Sequence, residues 1–271
     1  GRTPVLIKNY GDIAINDSSN GEGKLTAVAN ARNGQVINNS GSGTVTINAG
    51  VISSKADVTF TTIYNTSTGN IIINGGKISG FLKTSEGRLI GNDGTGTIQI
   101  NSGEITSNRN VLILNWKNGN IEINGGNIKA NGNIVENKAS GTITINGGNL
   151  TSIKATGIVN GGNGNIELNG GTINVELASG IVNGSTGNVI VNSGNIKISG
   201  GNHVIWNGNM GNVYVYGGEL DAGNDGTGIN NTSKGKIIIG KDDGIVLSEP
   251  VIIGRYAINQ RALGSEVYYY D

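Results

Sequence analysis

The sequence contains no cysteine, 2 prolines and 1 histidine among its 271 residues, and aromatic side chains make up only 4%. Without cysteine the chain has neither a disulfide framework nor a thiolate metal site. A histidine-based catalytic triad would depend on His203, and the nearest serine, Ser199, lies in no recognisable nucleophile motif. We therefore interpret His203 as a surface residue of a strand.

Net charge and long apolar runs are missing as well. The 19 basic and 19 acidic residues cancel, and no basic stripe supplies the electrostatic attraction that a phosphate backbone requires. Nucleic acid is therefore not an expected partner. No apolar run approaches the roughly 18 residues of a transmembrane helix, so we expect no membrane insertion.

Glycine is present in large excess. The chain contains 48 glycines, more than double the average share of roughly 7%. Glycine enrichment without a Gly-X-Y period can indicate disorder. The 35% hydrophobic residues argue against disorder, because they are mostly Ile and Val in short, regularly spaced groups.

A glycine-led unit repeats along the chain and is clearest in Gly119-Asn-Ile-Glu-Ile-Asn-Gly-Gly-Asn-Ile128. The residues two and four places after its first glycine are aliphatic in every copy, and the residue between them is mostly polar. This alternation is the period-2 signature of a half-buried strand. Successive copies are 22 to 27 residues apart. They begin at Gly43, Gly69, Gly96, Gly119, Gly141, Gly164, Gly187, Gly211 and Gly235.

Two further strands complete each unit. The first strand is followed by Asn and a glycine turn, and then by a short second strand. Asn and Gly both tolerate the left-handed backbone conformation that a sharp corner needs. The third strand carries an aliphatic residue and, two places later, an asparagine, as in Ile113 and Asn115. Eight consecutive units keep this asparagine. Equally spaced amides can hydrogen-bond along the axis as an asparagine ladder.

Three strands and three turns per unit predict an all-β fold, a single-stranded right-handed parallel β-helix (a solenoid) of about ten coils. Leucine-rich repeats need a leucine framework that is missing, and a propeller blade needs roughly 40–45 residues. The right hand follows the general preference of parallel crossovers. With a strand spacing of roughly 4.8 Å, the rod would be on the order of 50 Å long.

The two ends differ from the middle of the chain. We assign residues 1–240 to the β-helix, with weaker coils over 1–42, in which Val5–Asn9 and Gly34–Asn38 resemble third strands. After Gly240 the repeat dissolves. The last coil of a solenoid exposes strand edges that need covering. We therefore interpret residues 241–271 as a C-terminal cap or a junction to a further domain, with its tyrosines used for packing.

The outward row of the third strands is the feature that we interpret as a binding surface. It is more apolar than the Thr, Gln and Glu row of the first strands. A contiguous apolar stripe indicates a binding or packing surface, and aromatic rings on a flat sheet can stack on sugar rings. The alternatives are that β-branched residues simply suit strands, or that a flanking segment covers the stripe. The predicted ligand-binding residues are Tyr64, Leu114, Trp116, Val159, Val182, Trp206 and Tyr214.

Catalytic and metal sites have weaker signals. Glu122 and Glu167 share an outward row but lie two coils, roughly 9–10 Å, apart, near the upper end for an inverting glycosidase pair. Exposed glutamates on a strand face are ordinarily solvated. The segment Gly-Asn-Asp-Gly-Thr-Gly occurs at 91–96 and again at 223–228, and acidic glycine turns can bind Ca²⁺. The tandem spacing of calcium β-rolls is missing, so we expect turns and no cofactor.

The units Gly-Asn-Ile-x-Ile-Asn-Gly-Gly-x-Ile, with intervening Gly-Ile-Val-Asn-Gly, resemble the β-helical repeats of secreted bacterial surface proteins over roughly residues 34–240. These include adhesin-like and carbohydrate-binding proteins of anaerobic Firmicutes and some autotransporter passengers, with a pectate-lyase-like superfold. The resemblance implies an extracellular or cell-surface location in a bacterium. It also implies a polysaccharide, a host or cell-surface glycan, or a protein as the partner.

Three functions fit these residues. The leading hypothesis is a non-catalytic adhesin or carbohydrate-binding protein that uses the third-strand row. The second is a polysaccharide lyase or glycoside hydrolase, which a cluster of carboxylates in a groove would favour. The third is a structural spacer without a ligand, which a covered apolar row would favour.

Overall fold

The computed structural model describes residues 4–19, 21–29, 34–56, 60–82, 87–108, 111–240, 249–262 and 264–270. These residues form 32 β-strands in three parallel sheets, and the described part of the chain contains no helix. The prediction of an all-β parallel β-helix with three strands per coil is confirmed. We number the strands in chain order and call the sheets A, B and C.

Each coil contributes one strand to each sheet. Sheet A consists of β1 Val5–Asn9, β4 Gly34–Asn39, β7 Phe60–Asn65, β10 Arg88–Asn92, β13 Val111–Asn115, β16 Asn133–Asn137, β19 Ile158–Asn160, β22 Ile181–Asn183, β25 His203–Asn207, β28 Thr227–Asn231 and β31 Tyr256–Gln260. Sheet B consists of β2 Ile13–Ile15, β5 Val45–Ile47, β8 Ile71–Ile73, β11 Ile98–Ile100, β14 Ile121–Ile123, β17 Ile143–Ile145, β20 Ile166–Leu168, β23 Val189–Val191, β26 Val213–Val215, β29 Ile237–Ile239 and β32 Val267–Tyr269. Sheet C consists of β3 Lys24–Ala29, β6 Val51–Ala56, β9 Lys77–Leu82, β12 Glu104–Ser107, β15 Asn127–Ala130, β18 Asn149–Ser152, β21 Thr172–Val175, β24 Asn195–Ile198, β27 Glu219–Asp221 and β30 Val251–Ile253.

Consecutive coils lie in register. Every strand pairs in parallel with the strands three places before and after it, so that Ile90 is level with Ile113 and Asn92 with Asn115. Sheets A and B have eleven strands and sheet C has ten. Ten complete coils are therefore followed by two strands of an eleventh, so the number of coils is slightly larger than the predicted ten.

The sheets extend to both ends of the described chain. Strands β1 and β4 pair in sheet A, as the third-strand pattern of Val5–Asn9 and Gly34–Asn38 predicts. After Gly240, β30, β31 and β32 add one strand to each sheet. The tail therefore loses the sequence repeat without losing the register. Its role as a cap or junction stays a prediction, and residues 241–248 lie outside the described part.

Columns of aliphatic side chains fill the inside of the coil. In sheet B both predicted aliphatic positions face inward, as Ile121 and Ile123 show with 1% and 0% exposure, while Glu122 between them is half-buried on the outer face. Burying one such side chain contributes roughly 1.5–3 kcal/mol. Each added coil therefore extends the core by the same set of contacts.

Sheet A contains one inward column that the sequence pattern does not predict. In β13 two consecutive residues, Leu112 and Ile113, are both fully buried. In the pairing with β16, Val111 and Ile113 have partners and Leu112 is passed over. The chain therefore turns a corner inside this strand, and an additional side chain fills that corner.

The asparagine that ends each middle strand of sheet A points inward, and its amide joins neighbouring coils. Asn160 Nδ2 donates to Asn183 Oδ1 of the next coil at 3.0 Å and to the Gly164 carbonyl oxygen at 2.7 Å. Its Oδ1 accepts from Asn137 Nδ2 at 2.9 Å. Both amide hydrogens are bonded, as a buried polar group requires. The predicted ladder is confirmed, and we call it the inner ladder: Asn65, Asn92, Asn115, Asn137, Asn160, Asn183, Asn207 and Asn231.

A second column of asparagines, the outer ladder, follows the strands of sheet B on the surface. Asn169 Nδ2 donates to Asn146 Oδ1 of the preceding coil at 2.8 Å, and Asn169 Oδ1 accepts from Asn192 at 2.7 Å. The inner ladder donates toward the C-terminus and the outer ladder toward the N-terminus. The outer ladder consists of Asn48, Asn74, Asn101, Asn124, Asn146, Asn169 and Asn192.

Two columns of glycine allow the coils to stack closely. The first glycine of a repeat lies against the same glycine of the preceding coil, and a Cβ on Gly164 would overlap the Gly141 carbonyl oxygen. The second column follows the outer ladder and has positive φ, for example 94° at Gly148 and 80° at Gly171. Close approach requires glycine in the first column, and backbone conformation requires it in the second.

Replacing Asn160 with alanine should lower the free energy of unfolding by about 3 kcal/mol, because buried groups in Asn137, Gly164 and Asn183 each lose a hydrogen bond. The matched control is Asn169→Ala in the outer ladder of the same coil. It should cost less than about 1 kcal/mol, because water replaces the lost partner. Equilibrium unfolding in urea measures both variants, and equal losses would contradict the distinction between the ladders.

Gly164→Ala should cost more than about 2 kcal/mol, because the added Cβ meets a backbone carbonyl that cannot move without shifting a whole coil. The control is Gly161→Ala in the same coil, where a Cβ would lie 3.6 Å from the Asn137 carbonyl oxygen. The control should stay within about 0.5 kcal/mol of the wild type. Thermal unfolding followed by circular dichroism measures both, and equal stability would show that the coils are less closely stacked.

Candidate functional site

The predicted third-strand row is a physical row on the outer face of sheet A. It brings together five of the seven predicted ligand-binding residues. Trp116 lies just beyond the end of β13, and Tyr214 lies on sheet B, so the seven do not form one site. The row consists of Tyr64, Gly91, Leu114, Glu136, Val159, Val182, Trp206 and Asn230.

Polar contacts interrupt this row in its N-terminal half. The Tyr64 hydroxyl donates to the Asp93 carboxylate, and the Arg88 guanidinium lies 5.4 Å from the Tyr64 ring centroid. Burial, and next the hydrogen bond to Asp93, raise the pKa of Tyr64 to about 12. Leu114 is only 6% exposed, and Glu136 places a carboxylate in the row. The row is therefore not a continuous exposed apolar stripe.

The two tryptophans already have contacts within the chain. Trp116 is 44% exposed, and the Lys138 ammonium lies 4.2 Å from its ring centroid. Lys138 also pairs with Glu136 at 3.2 Å. The half-buried Trp206 ring lies over Gly208, where a Cβ would overlap it. Binding of a ligand by these residues stays a prediction.

His203 is the first residue of β25 and is half-buried. Its Nε2 lies 3.0 Å from Asn230 Nδ2, and its Nδ1 is buried without a hydrogen-bond partner. Burial, and next the positive charge of Arg261, lower the pKa of His203. As expected, His203 lies on a strand, but its side chain is half-buried.

The carboxylates singled out in the sequence lie apart from one another. Glu122 and Glu167 occupy one outward row of sheet B with Thr144 between them. Asp93, in the first copy of the acidic glycine turn, contacts Tyr64. Among the described residues, no group of three or more His, Asp or Glu side chains could hold a metal ion.

Tyr214 belongs to a cluster of tyrosines on sheet B. Its ring centroid lies 5.8 Å from that of Tyr216, and Tyr268 follows two coils later in the same outward row. Tyr216 and Tyr270 stand where earlier coils carry the outer-ladder asparagine. Burial, and next Tyr214 and Tyr270, raise the pKa of Tyr216. We call Tyr214, Tyr216, Tyr268 and Tyr270 the tyrosine patch.

A groove of about 600 Å³ lies on the outer face of sheet C in the N-terminal coils. Strands β3, β6 and β9 have six residues, whereas β12, β15 and β18 have four. The longer strands widen the outer face of sheet C in these coils. We call the concave surface that they form the sheet C groove. Its floor is a row of hydroxyl side chains in register: Thr26, Ser53, Ser79 and Thr106.

The rim of the sheet C groove adds apolar surface and positive charge. Val28 and Phe81 are 76% and 55% exposed, and Lys55 lies between them in the register. Lys129 continues the hydroxyl row on the C-terminal side. Of the described residues that line the groove, two are lysines and none is acidic. Hydroxyls, an aromatic ring and cations thus converge on one concave surface.

The spacing of the repeat glycines contains a signal for this groove. The first two intervals between repeat glycines are 26 and 27 residues, from Gly43 to Gly69 and from Gly69 to Gly96, and the later intervals are 22 to 24. The additional residues lengthen the second strand and its corner. Repeat length therefore indicated where the surface departs from the regular coil.

Comparison with protein-family models, with curated proteins and with solved structures finds no match for this chain. The described residues also contain no helix that is long and apolar enough to cross a membrane. Function is therefore inferred from the surfaces of the rod.

The raised pKa of Tyr64 gives the protein a pH-dependent stability that can be measured. The folded-state pKa is about 12 against an ordinary 10.0, so the native state holds the phenol proton more tightly. This stabilisation is fully present below pH 10 and is lost as the pH rises toward 12. In urea unfolding, Tyr64→Phe should show a weaker pH dependence in this interval than the wild type or the exposed control Tyr10→Phe. Identical pH profiles of the unfolding free energy for all three proteins would contradict a raised pKa for Tyr64.

Proposed function

We propose that this protein is a non-catalytic, extracellular surface protein of the adhesin or carbohydrate-binding kind, and that it holds a glycan chain in the sheet C groove. The groove carries the proposal, because it combines a hydroxyl row, an exposed ring and two cations on one face. The ring and the polar groups suit the two kinds of surface that a sugar presents. The CH faces of sugars pack on aromatic rings, and their hydroxyls hydrogen-bond to convergent polar groups.

The spacing of the groove floor favours an extended polymer over a compact molecule. The hydroxyls of Thr26, Ser53, Ser79 and Thr106 recur once per coil, roughly every 4.8 Å. Each lies on a strand that is paired in the sheet. Thr26 Oγ1 and Ser53 Oγ are already 2.8 Å apart. Because the floor is ordered before binding, little conformational entropy is lost when a chain settles on it.

The lysines give the groove a charge that the whole chain lacks. Lys55 and Lys129 line it without an acidic neighbour in the described lining, although the formal net charge of the protein is zero. An ammonium group donates up to three hydrogen bonds to sugar oxygens. The groove therefore supplies hydrogen-bond donors on its rim, at Lys55, and at its C-terminal end, at Lys129, and groups that both donate and accept along its floor.

The location and the partner class rest on the resemblance of the repeats to those of secreted bacterial surface proteins. We infer from it that the protein acts outside a bacterial cell, as an adhesin-like member of the pectate-lyase-like superfold. The partner is then a polysaccharide or a host or cell-surface glycan.

A broad glycan array probed with the purified chain tests the proposal. Affinity for a glycan found on the array should fall about tenfold in Phe81→Ala, because an aromatic anchor at the rim is lost. Leu177→Ala is the matched control, since this apolar side chain is 62% exposed but lies outside the groove. Its affinity should equal that of the wild type.

Trp206→Ala in the same assay tests the sheet A row. A loss in Trp206→Ala without a loss in Phe81→Ala would move the site to sheet A. An empty array would contradict glycan binding and favour the structural spacer. Release of shortened chains from a bound polysaccharide would favour a lyase or hydrolase.

A further inference from the structure

We infer that the tyrosine patch is a second binding surface, for the flat ring faces of an uncharged, extended 1,4-linked β-glycan. The patch lies in the C-terminal coils on sheet B, whereas the groove lies in the N-terminal coils on sheet C. The patch inference does not depend on the groove binding a ligand.

The tyrosines repeat with a period of two coils. Tyr214 and Tyr268 share the outward row with Ile238 between them, which puts them roughly 9–10 Å apart along the axis. Tyr216 and Tyr270 are separated in the same way by Gly240. In an extended 1,4-linked β-glycan each ring is turned over relative to the last. Every second ring therefore presents the same face, and the distance between such rings is similar to the distance between the tyrosines along the axis.

The patch belongs to the outer surface of the coil. Val213 and Val215, the neighbours of Tyr214 in β26, are fully buried, so the tyrosine between them faces outward. Tyr270 is 39% exposed. Six of the eight tyrosines of the chain occur from residue 214 onward, while the same outward row carries Gln99 and Glu122 in the middle coils. The aromatic character is thus confined to one end of the row.

Hydrogen bonds hold two of the rings in place before binding. Asn212 Nδ2 donates to the Tyr214 hydroxyl oxygen at 3.1 Å. Lys236 Nζ donates to the Tyr268 hydroxyl oxygen at 3.3 Å, and the Tyr268 hydroxyl donates to Glu266. A ring that is already fixed loses little entropy when a sugar stacks on it.

The charges beside the patch cancel, which favours an uncharged glycan. Lys236 and Glu266 pair at 2.9 Å next to Tyr268. The pair offers donors and acceptors to sugar hydroxyls and gives an acidic glycan no net attraction. This distinguishes the patch from the sheet C groove, whose described lining carries two lysines and no acid.

Sedimentation with microcrystalline cellulose and with chitin particles tests the inference. The wild type should bind, and the dissociation constant of Tyr214→Ala/Tyr268→Ala should rise at least about tenfold. Tyr214→Phe/Tyr268→Phe keeps both rings and should stay within about twofold. Tyr10→Ala is the matched control. Tyr10 is 63% exposed, and Lys8 lies 5.1 Å from its ring centroid, as Lys236 does from that of Tyr268. This control should bind like the wild type.

If the alanine variant loses its thermal unfolding transition, Tyr214→Leu/Tyr268→Leu replaces it, because leucine keeps aliphatic packing and removes the planar ring. Three results would overturn the inference: a wild type that binds neither particle, a double variant that binds normally, or tyrosine-dependent self-association in light scattering. Leu177→Ala, outside the groove and the patch, should leave particle binding unchanged. Phe81→Ala on the glycan array tests the groove and the tyrosine variants on the particles test the patch, so failure of one is distinguishable from failure of the other.

Discussion

From Asn65 to Asn231, a buried side-chain amide joins each coil of this protein to the next, and the other features depend on that contact. The amide of Asn160 can bond in both directions only when successive coils are level, so the inner ladder fixes the register of all three sheets. Stacking at this distance leaves no room for a Cβ at the repeat glycine, as at Gly164. Any side chain that recurs in the repeat then becomes a column along the rod.

Because each outward column lies on one sheet, the repeated sequence forms three surfaces of different chemistry. Sheet A carries a half-buried row that is interrupted by the contacts of Tyr64 and by Glu136. Sheet B changes from a polar row in its middle coils to tyrosines at its end. Sheet C presents hydroxyls below a rim that includes Phe81. A surface can change in this way without disturbing the core, because the inward columns and the ladder stay the same.

The fold could be predicted because its determinants are local and repeated. The alternation of Ile121, Glu122 and Ile123 specifies a strand with one buried face within three residues. The second inward residue of sheet A, such as Leu112, could not be predicted, since the backbone turns a corner inside the strand and breaks the alternation. The sheet C groove was missed because it depends on strand length. The tyrosine patch was missed, apart from Tyr214, because the sequence repeat ends before Tyr268 while the register continues.

Exchange of side-chain amide hydrogens with deuterium, followed by nuclear magnetic resonance, tests the inner ladder most directly. We expect the Nδ2 hydrogens of Asn137 and Asn160 to exchange as slowly as the backbone amides of the sheets, because both hydrogens are bonded inside the coil. Those of Asn169, in the exposed outer ladder, should exchange much faster. Rapid exchange in both ladders would contradict a buried amide contact between the coils.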